Sequence, residues 1–219
     1  AGNPPKPYTE PLKLQIPQGH WFPQCRRTLV AGDDQQAIYS FAGAEPDWMI
    51  GLSHRPEVTM SVLPQSYRIP ARVHALAEVI IRQNSRRIDR TYLPREEPGA
   101  VAVAKTIERA FDEIEGESVY VLARNRTTLQ DAAKALDAAG IAYTAEGAKG
   151  NRQSRTILST CHGSKGREAD TVIVLSDMGG LSYAGWCGRE RESENRVAYV
   201  GVPRAKEKLI IVEPTTRRA

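Results

Sequence analysis

Two aromatic side chains follow a run of polar residues near the start of the chain. Residues 32–44 read G-D-D-Q-Q-A-I-Y-S-F-A-G-A, which places Tyr39 and Phe41 two positions apart. Rings at this spacing can stack on successive nucleic-acid bases, a contact worth about 1–3 kcal/mol per base. Rings that only fill a hydrophobic core would give the same pattern. This segment alone leaves both interpretations open.

Positive charge is concentrated in one part of the sequence. Residues 68–95 hold seven arginines against two acids, Glu78 and Asp89, a balance of +5 where the whole chain carries +4. A solvated helix face is the commoner cause of such a run. Neutralisation of nucleic-acid phosphates is the more specific cause. Composition does not decide between them.

The overall composition excludes several classes of protein. The 219 residues, with 41% hydrophobic and 26% charged, suit one or two globular domains and not a disordered chain, a collagen-like repeat or a coiled coil. No apolar run approaches the roughly 20 residues that cross a bilayer, and no secretory signal begins the sequence. We therefore expect no membrane contact and a cytoplasmic location. Three scattered cysteines and four dispersed histidines predict neither a disulfide framework nor a bound metal.

The periodicity of apolar residues predicts an α/β fold with a mostly parallel sheet. Helices are expected from Pro70 onward, over residues 127–139 with Gly140 as the cap, and over residues 192–201. Residues 1–24 form a proline-rich, irregular lead-in. Short β-branched runs predict strands at residues 28–31, 58–62, 101–104, 119–122, 156–159, 171–175 and 209–212. Since α/β sheets bind ligands beyond the carboxyl ends of their strands, we expect the reactive residues there.

Residues 32–44 resemble motif III of the ATP-dependent DNA helicases related to UvrD, Rep and PcrA. The resemblance implies that Gln36 senses the terminal phosphate of ATP. It also implies that Tyr39 and Phe41 contact single-stranded DNA. Ala42 departs from the family pattern, which usually has an arginine at that position.

A second segment, L-P-Q-S-Y-R at residues 63–68, looks like motif IV of the same helicases. By resemblance, Tyr67 packs on the adenine and Arg68 is an arginine finger that reaches the terminal phosphate. The stretch from Val119 to Tyr143 is similar to motif IVa, and it implies a nucleic-acid contact for Arg124 at the end of its predicted strand.

Motifs V and VI follow in the family order. Residues 160–172 read T-C-H-G-S-K-G-R-E-A-D-T-V, similar to motif V. The resemblance implies DNA contacts for Thr160 and His162, and nucleotide contacts for Gly166 and Glu168.

Residues 194–206 resemble motif VI and imply that Arg204 is the second arginine at the γ-phosphate. Pro203 replaces the usual threonine of that motif. Because proline inside a helix costs about 3 kcal/mol, we expect the helix to end before it and Arg204 to lie on the following loop.

Taken together, the motifs imply a RecA-like fold of the P-loop NTPase type and a division of the chain at residue 52. Residues 1–52 would be the lead-in and the end of the first motor domain (1A) with motif III. Residues 53–219 would be the second RecA-like motor domain (2A) with motifs IV, V and VI. The short interval between Gly147 and the strand expected at residue 156 leaves no room for the family's large 2B insertion.

The sequence lacks two parts that ATP hydrolysis requires. The phosphate-binding pattern G-x-x-x-x-G-K-[ST] does not occur, and no D-E-x-x-D precedes Gly32. We therefore expect this chain alone not to hydrolyse ATP efficiently. ATP with Mg²⁺ would be bound together with a missing first motor domain, which would supply the Walker A loop and the Mg²⁺ ligands.

Three functions remain open at this stage. The resemblance favours the C-terminal part of a helicase that moves 3′-to-5′ on single-stranded DNA and unwinds duplex junctions. A non-catalytic module that binds single-stranded DNA would keep Tyr39, Phe41 and Arg124 without turnover. A nucleotide-binding regulator would show no salt-dependent affinity for oligonucleotides.

Overall fold

The structure is a computed structural model that describes residues 29–146 and 154–215. The proline-rich lead-in, Thr28, Cys25 and Gly147 lie outside the described residues. The expectation that no large insertion fits after Gly147 therefore stays a prediction.

Helices and strands alternate along most of the chain, as the sequence predicts. The helices are α1 (Asp47–Ser53), α2 (Ala71–Ile81), α3 (Ile107–Phe111), α4 (Arg126–Ala138), α5 (Gly180–Cys187) and α6 (Arg191–Gly201). The strands are β1 (Gln65–Pro70), β2 (Leu93–Arg95), β3 (Ala100–Ala104), β4 (Val119–Ala123), β5 (Thr144–Ala145), β6 (Thr156–Thr160), β7 (Ala169–Leu175) and β8 (Ala205–Val212). Short 3₁₀ turns occupy Asp34–Gln36, Ser40–Ala42 and Val202–Arg204.

Six of these strands form one parallel sheet in the order β3-β8-β7-β4-β6-β5. Strands β1 and β2 pair separately, also in parallel. Helices cover both faces of the larger sheet, which confirms the α/β class with a mostly parallel sheet. None of the helices among the described residues is long and apolar enough to cross a membrane.

Strand β4 shows why the predicted strands lack the polar alternation of a half-exposed sheet. All five of its residues are buried. Tyr120 and Leu122 belong to the apolar cluster that includes α2 and α6, whereas Val119, Val121 and Ala123 belong to the cluster that includes α3 and α4. A strand covered on both faces gains apolar contacts at every position, so its sequence is continuously hydrophobic.

The predicted helices form close to their expected bounds. Helix α4 starts where the Asn125 side chain accepts a hydrogen bond of 2.9 Å from the Thr128 amide. It ends before Gly140, whose φ of +67° is the left-handed conformation expected of a helix cap. In α2, Val73, Ala77 and Ile81 are buried, and Pro70 is the residue that precedes the helix.

Two predicted strands are wrong. Residues 29–31 and 58–62 are irregular in the structure, and Leu29 is 95% exposed. Motif III therefore follows an irregular segment, and most of motif IV lies on β1 itself instead of after a strand. Within the described residues neither run pairs with a strand, and strand propensity reflects packing on a pleated surface more than an intrinsic backbone preference.

Ion pairs account for most of the arginine-rich segment. Arg90 donates to Asp33 and Asp34, and Arg86 pairs with Asp47. Of the arginines in residues 68–95, all but Arg72 have an acidic partner within the described residues. Much of the local excess charge is thus neutralised by acids from other parts of the chain.

One carboxylate ties together the amino-terminal ends of β4, β7 and β8. Asp170 accepts hydrogen bonds from the Ser118 amide and hydroxyl at 3.0 and 2.9 Å and from the Glu117 amide at 3.0 Å. The Lys206 ammonium lies 2.6 Å from its other oxygen. This ammonium, with the Ser118 and Glu117 donors, holds the pKa of Asp170 well below its usual range against the effect of burial.

Replacing Asp170 with asparagine should therefore destabilise the fold by about 2 kcal/mol, since hydrogen bonds to a charged acceptor are lost. Because the folded pKa is depressed, the stabilisation is present above the unfolded pKa of about 3.9 and is lost as pH falls below it. Urea unfolding at several pH values should show a shallower acid dependence for Asp170→Asn. The exposed pair of Asp131 and Lys134 supplies the control: Asp131→Asn should change stability by less than about 1 kcal/mol.

Candidate functional site

Three rings from two distant segments meet on the surface. The centroids of Tyr39, Phe41 and His162 lie 5.8–5.9 Å from one another, with interplanar angles between 56° and 77°. Tyr39 is 38% and Phe41 is 78% exposed. We call these three side chains the ring cluster. Rings that served only as core filling would be buried, so the exposure favours the stacking interpretation of the two aromatic residues.

The ring cluster is held by contacts between motifs III and V. His162 Nε2 lies 3.0 Å from the Ile38 carbonyl oxygen, and the Tyr39 hydroxyl donates to the His162 carbonyl at 3.3 Å. Lys165 Nζ donates to the Gln36 carbonyl at 2.8 Å and lies 5.4 Å from the centre of the Tyr39 ring. The role of Lys165 was not predicted from the sequence, although the lysine is a fixed position of the motif V pattern.

The His162 ring is neutral near pH 7. Burial lowers the pKa of His162, and the positive charge of Arg124 lowers it further. Since a carbonyl oxygen only accepts, Nε2 carries the hydrogen in its contact with Ile38. Thr160 is placed beside it, where its hydroxyl accepts from the Gly163 amide at 3.1 Å and shapes the turn after β6.

Arg124 forms a bidentate ion pair that sequence reasoning did not predict. Its Nε and Nη2 atoms lie 2.5 and 2.8 Å from the two carboxylate oxygens of Glu194. The hydrogen bond to Glu194 raises the pKa of Arg124. Glu194 has a side chain only 5% exposed. Both charges are therefore compensated within the fold, and Arg124 is less available to a phosphate than a free arginine would be.

Arg126, two residues after Arg124, is exposed. It begins α4 and has no ion-pair partner among the described residues. It lines a cleft of about 540 Å³ with Tyr39, His162 and Glu146, which we call the Arg126 cleft. Glu146 is paired with Arg167 at 3.5 Å. Sequence reasoning missed Arg126, for which the position after a strand is the one available signal.

A second cleft, of about 300 Å³, shares His162 with the Arg126 cleft as a lining residue. Ile38, Phe41, His162, Arg124, Glu190 and Glu194 are among its lining residues. We call it the acidic cleft, because Arg124 and Glu194 neutralise each other and Glu190 has no ion-pair partner among the described residues. Its volume is at the lower end of the range for small-ligand pockets.

The residues assigned by resemblance to ATP lie at the opposite end of the sheet. Glu168 and Arg204 immediately precede β7 and β8, whose first residues Ala169 and Ala205 are paired. Arg68 Nη1 lies 3.7 Å from Glu168 Oε2. We call Arg68, Glu168 and Arg204 the arginine cluster. The structure places Arg124, Thr160 and His162 at the carboxyl ends of β4 and β6, where the sequence predicts ligand-binding residues, and it places Glu168 and Arg204 at the amino ends of β7 and β8.

Arg204 is a buried cation. It is 3% exposed, and its Nε and Nη1 atoms donate to the carbonyls of Val200 at 2.7 Å and Arg167 at 3.3 Å. Burial lowers the pKa of Arg204 to about 10, and the charge of Arg68 adds to this effect. The α-helix ends before Pro203 as predicted, but Arg204 lies in a buried 3₁₀ turn and not on a loop.

The remaining predicted residues are placed differently. Tyr67 is 88% exposed beside Arg68, and Gly166 has a φ of +82°, which a residue with a side chain rarely adopts. The Gln36 amide donates to Asp33 at 2.6 Å. Within the described residues, no hydrogen bond or ion pair joins Gln36 to the arginine cluster.

No group of three or more His, Cys, Asp or Glu side chains arranged to hold a metal ion occurs in residues 29–146 and 154–215. The arginine cluster instead has two guanidinium groups for one carboxylate, so it carries excess positive charge. This donor set fits a polyphosphate, which accepts hydrogen bonds from arginine with bidentate geometry.

Comparison with known proteins relates the chain to one family. Residues 144–215 match the UvrD-like helicase C-terminal domain. The chain is 32% identical over 172 residues to the ATP-dependent DNA helicase UvrD2 of Mycobacterium tuberculosis (strain ATCC 25618 / H37Rv), covering 68% of this chain and 24% of that protein. It is 31% identical over 135 residues to the ATP-dependent DNA helicase Rep of Escherichia coli (strain K12), covering 60% and 18%.

Among solved structures, one neighbour is the C-terminal domain of a possible DNA helicase from Lactobacillus plantarum WCFS1. The TM-score is 0.47 at 22% identity, covering 69% of this chain and 89% of that one. The aligned part of this chain corresponds to 24% of the length of UvrD2 and 18% of the length of Rep.

The ion pair of Arg124 and Glu194 yields a stability prediction. Arg124→Met should destabilise the fold by about 3 kcal/mol, because it leaves the buried Glu194 carboxylate without its partner. The double variant Arg124→Met with Glu194→Gln should recover most of the loss. Arg126→Met, at an exposed position two residues away, should stay within about 0.5 kcal/mol of the parent. Urea unfolding measures all three, and an Arg124→Met variant as stable as the parent would contradict the assignment.

Proposed function

We propose that the chain is the second motor domain of an ATP-dependent helicase that moves on single-stranded DNA, because residues 144–215 match the UvrD-like helicase C-terminal domain. One observation carries the proposal. The segment of residues 160–168 contributes His162 to the ring cluster at one end of the sheet and Glu168 to the arginine cluster at the other. A single stretch of backbone therefore touches both candidate sites.

At the arginine cluster, the proposed role of the chain is to stabilise charge. ATP with Mg²⁺ would supply the phosphoryl group that is transferred to water. Arg68, which is partly exposed, would act as the arginine finger, a role worth about 10³–10⁵ in rate. Arg204 would hold a second phosphate oxygen from a fixed, buried position, while Tyr67 and Glu168 would contact the base and the ribose.

At the ring cluster, the proposed role is to bind single-stranded DNA. Phe41 and Tyr39 offer exposed faces on which bases can stack, and Lys165 links the Tyr39 ring to the Gln36 backbone. In this proposal Gln36 reports the state of the nucleotide to Tyr39 through three residues of backbone. Arg126 is proposed as the phosphate contact, and Arg124 as a residue that shapes the acidic cleft.

The first motor domain of the same protein is proposed as the partner that carries the Walker A loop and the Mg²⁺ ligands. The division at residue 52, the 3′-to-5′ direction, action at duplex junctions and a cytoplasmic location belong to the same proposal. A second candidate is a module that binds single-stranded DNA without turnover, and the exposed Tyr39 and Phe41 rings are the observation that supports it.

The arginine finger is tested in the full-length protein that carries this chain. Arg68→Ala should lower DNA-stimulated ATP hydrolysis by about 10³-fold or more, because the charge that stabilises the transferring phosphoryl group is removed. Arg72→Ala is the matched control, since Arg72 is exposed and has no ion-pair partner among the described residues. Arg204→Ala should give a comparable loss, with its melting temperature measured in parallel. Undiminished turnover in both variants would refute the finger assignment.

The DNA contact of Arg126 is tested on the chain itself. Arg126→Ala should weaken single-stranded DNA binding regardless of sequence and reduce the salt slope, d log K/d log [salt], by about 0.7. Lys134→Ala on the same helix is the control, because Lys134 is paired with Asp131 and lies two turns away. Affinities from fluorescence polarisation at several salt concentrations give the slopes. Equal slopes for Arg126→Ala and the parent would exclude a phosphate contact there.

A further inference from the structure

The charges around the ring cluster divide into two sides. On one side, the Arg126 cleft contains Arg126, which has no ion-pair partner in residues 29–146 and 154–215. On the other, the acidic cleft contains Arg124, Glu194 and Glu190 as its charged residues, and His162 as a neutral ring. Since Arg124 and Glu194 cancel, the acidic cleft has a net charge of −1. A phosphate would be repelled from this cleft and attracted to the other side.

The residues that line the acidic cleft nevertheless suit a flat, neutral group. Phe41 and His162 supply ring faces, and Ile38 and Val197 supply apolar contact. Glu190 contributes a carboxylate that has no hydrogen-bond or ion-pair partner among the described residues. An ionised carboxylate only accepts hydrogen bonds, so a matching ligand must present N–H donors.

We propose that the acidic cleft receives an unpaired base and that Glu190 accepts a hydrogen bond from its amino group. This inference rests on the proposed DNA binding at the ring cluster. Glu190 is then a specificity-determining residue that favours cytosine, adenine and guanine over thymine and uracil. Cytosine presents an N4 amino group to a carboxylate. The one edge N–H of uracil lies between two carbonyl oxygens, which repel a carboxylate.

The position of Glu190 supports this role. It lies directly before α6, the helix that carries Glu194, and its carboxylate comes close to Gly185 of α5. Its neighbour Arg191 contacts the Trp186 ring at 5.8 Å and the Gln83 side chain at 3.2 Å. Among the described residues neither Arg189 nor Arg191 forms an ion pair with Glu190, whose charge contributes, after the Glu194 hydrogen bond, to the raised pKa of Arg124.

The experiment compares deoxycytidine and deoxyuridine oligonucleotides of equal length, which avoids any effect of the thymine methyl group. The chain should bind the deoxycytidine strand roughly fivefold more tightly, as one added hydrogen bond allows. In Glu190→Gln the ratio should fall to about one, because an amide can both donate and accept. Glu117→Gln is the matched control, since Glu117 is exposed in the loop before β4 at the other end of the sheet.

The ratio of affinities is the decisive readout, because removing a negative charge raises both affinities together. Equal binding of the two strands by the parent chain overturns the base-reading role, and so does an unchanged ratio in Glu190→Gln. Either result leaves DNA binding at the ring cluster intact. No binding of either strand at low salt contradicts the proposed function itself and the base-reading role with it.

Discussion

The parallel arrangement of β6 and β7 is the constraint on which both candidate sites depend. These strands flank β4 on either side, so the chain that leaves β6 must return to the amino end of the sheet before β7 can begin. It does so in residues 161–168. Cys161 and Ser164 are buried along this path, and Ser164 donates to the Cys161 carbonyl at 2.9 Å. A segment fixed at both ends and packed in its middle transmits a displacement, since packed elements resist continuous deformation.

Sequence reasoning succeeded where a residue's partner is close in the chain or where burial is complete. The six strands of the main sheet include five that were predicted from short β-branched runs, and Gly140 marked the end of α4. It failed for residues 58–62, because strand formation needs a neighbouring strand that no local pattern specifies. It also failed for Arg124, because Glu194, its partner, is 70 positions away.

Electrostatics distinguishes the arginines more clearly than their motif positions do. Arg90 is held by Asp33 and Asp34 and joins motif III to the segment after α2. Arg204 is buried, and its hydrogen-bond partners are backbone carbonyls. Burial and the positive charge of Arg68 both lower the pKa of Arg204. An anion that binds between Arg68 and Arg204 would relieve the repulsion between these like charges.

In the proposed complex with single-stranded DNA, the same reasoning gives the strand an orientation. A nucleotide unit has one charged side, the phosphate, and one neutral side, the base. The ring cluster lines both the Arg126 cleft and the acidic cleft, and neither Arg126 nor Glu190 has an ion-pair partner among the described residues. Placing the phosphate beside Arg126 and the base beside Glu190 satisfies both charges at once, and the reverse orientation satisfies neither. The order of charges across His162 therefore restricts how a strand can lie on these rings before any base is recognised.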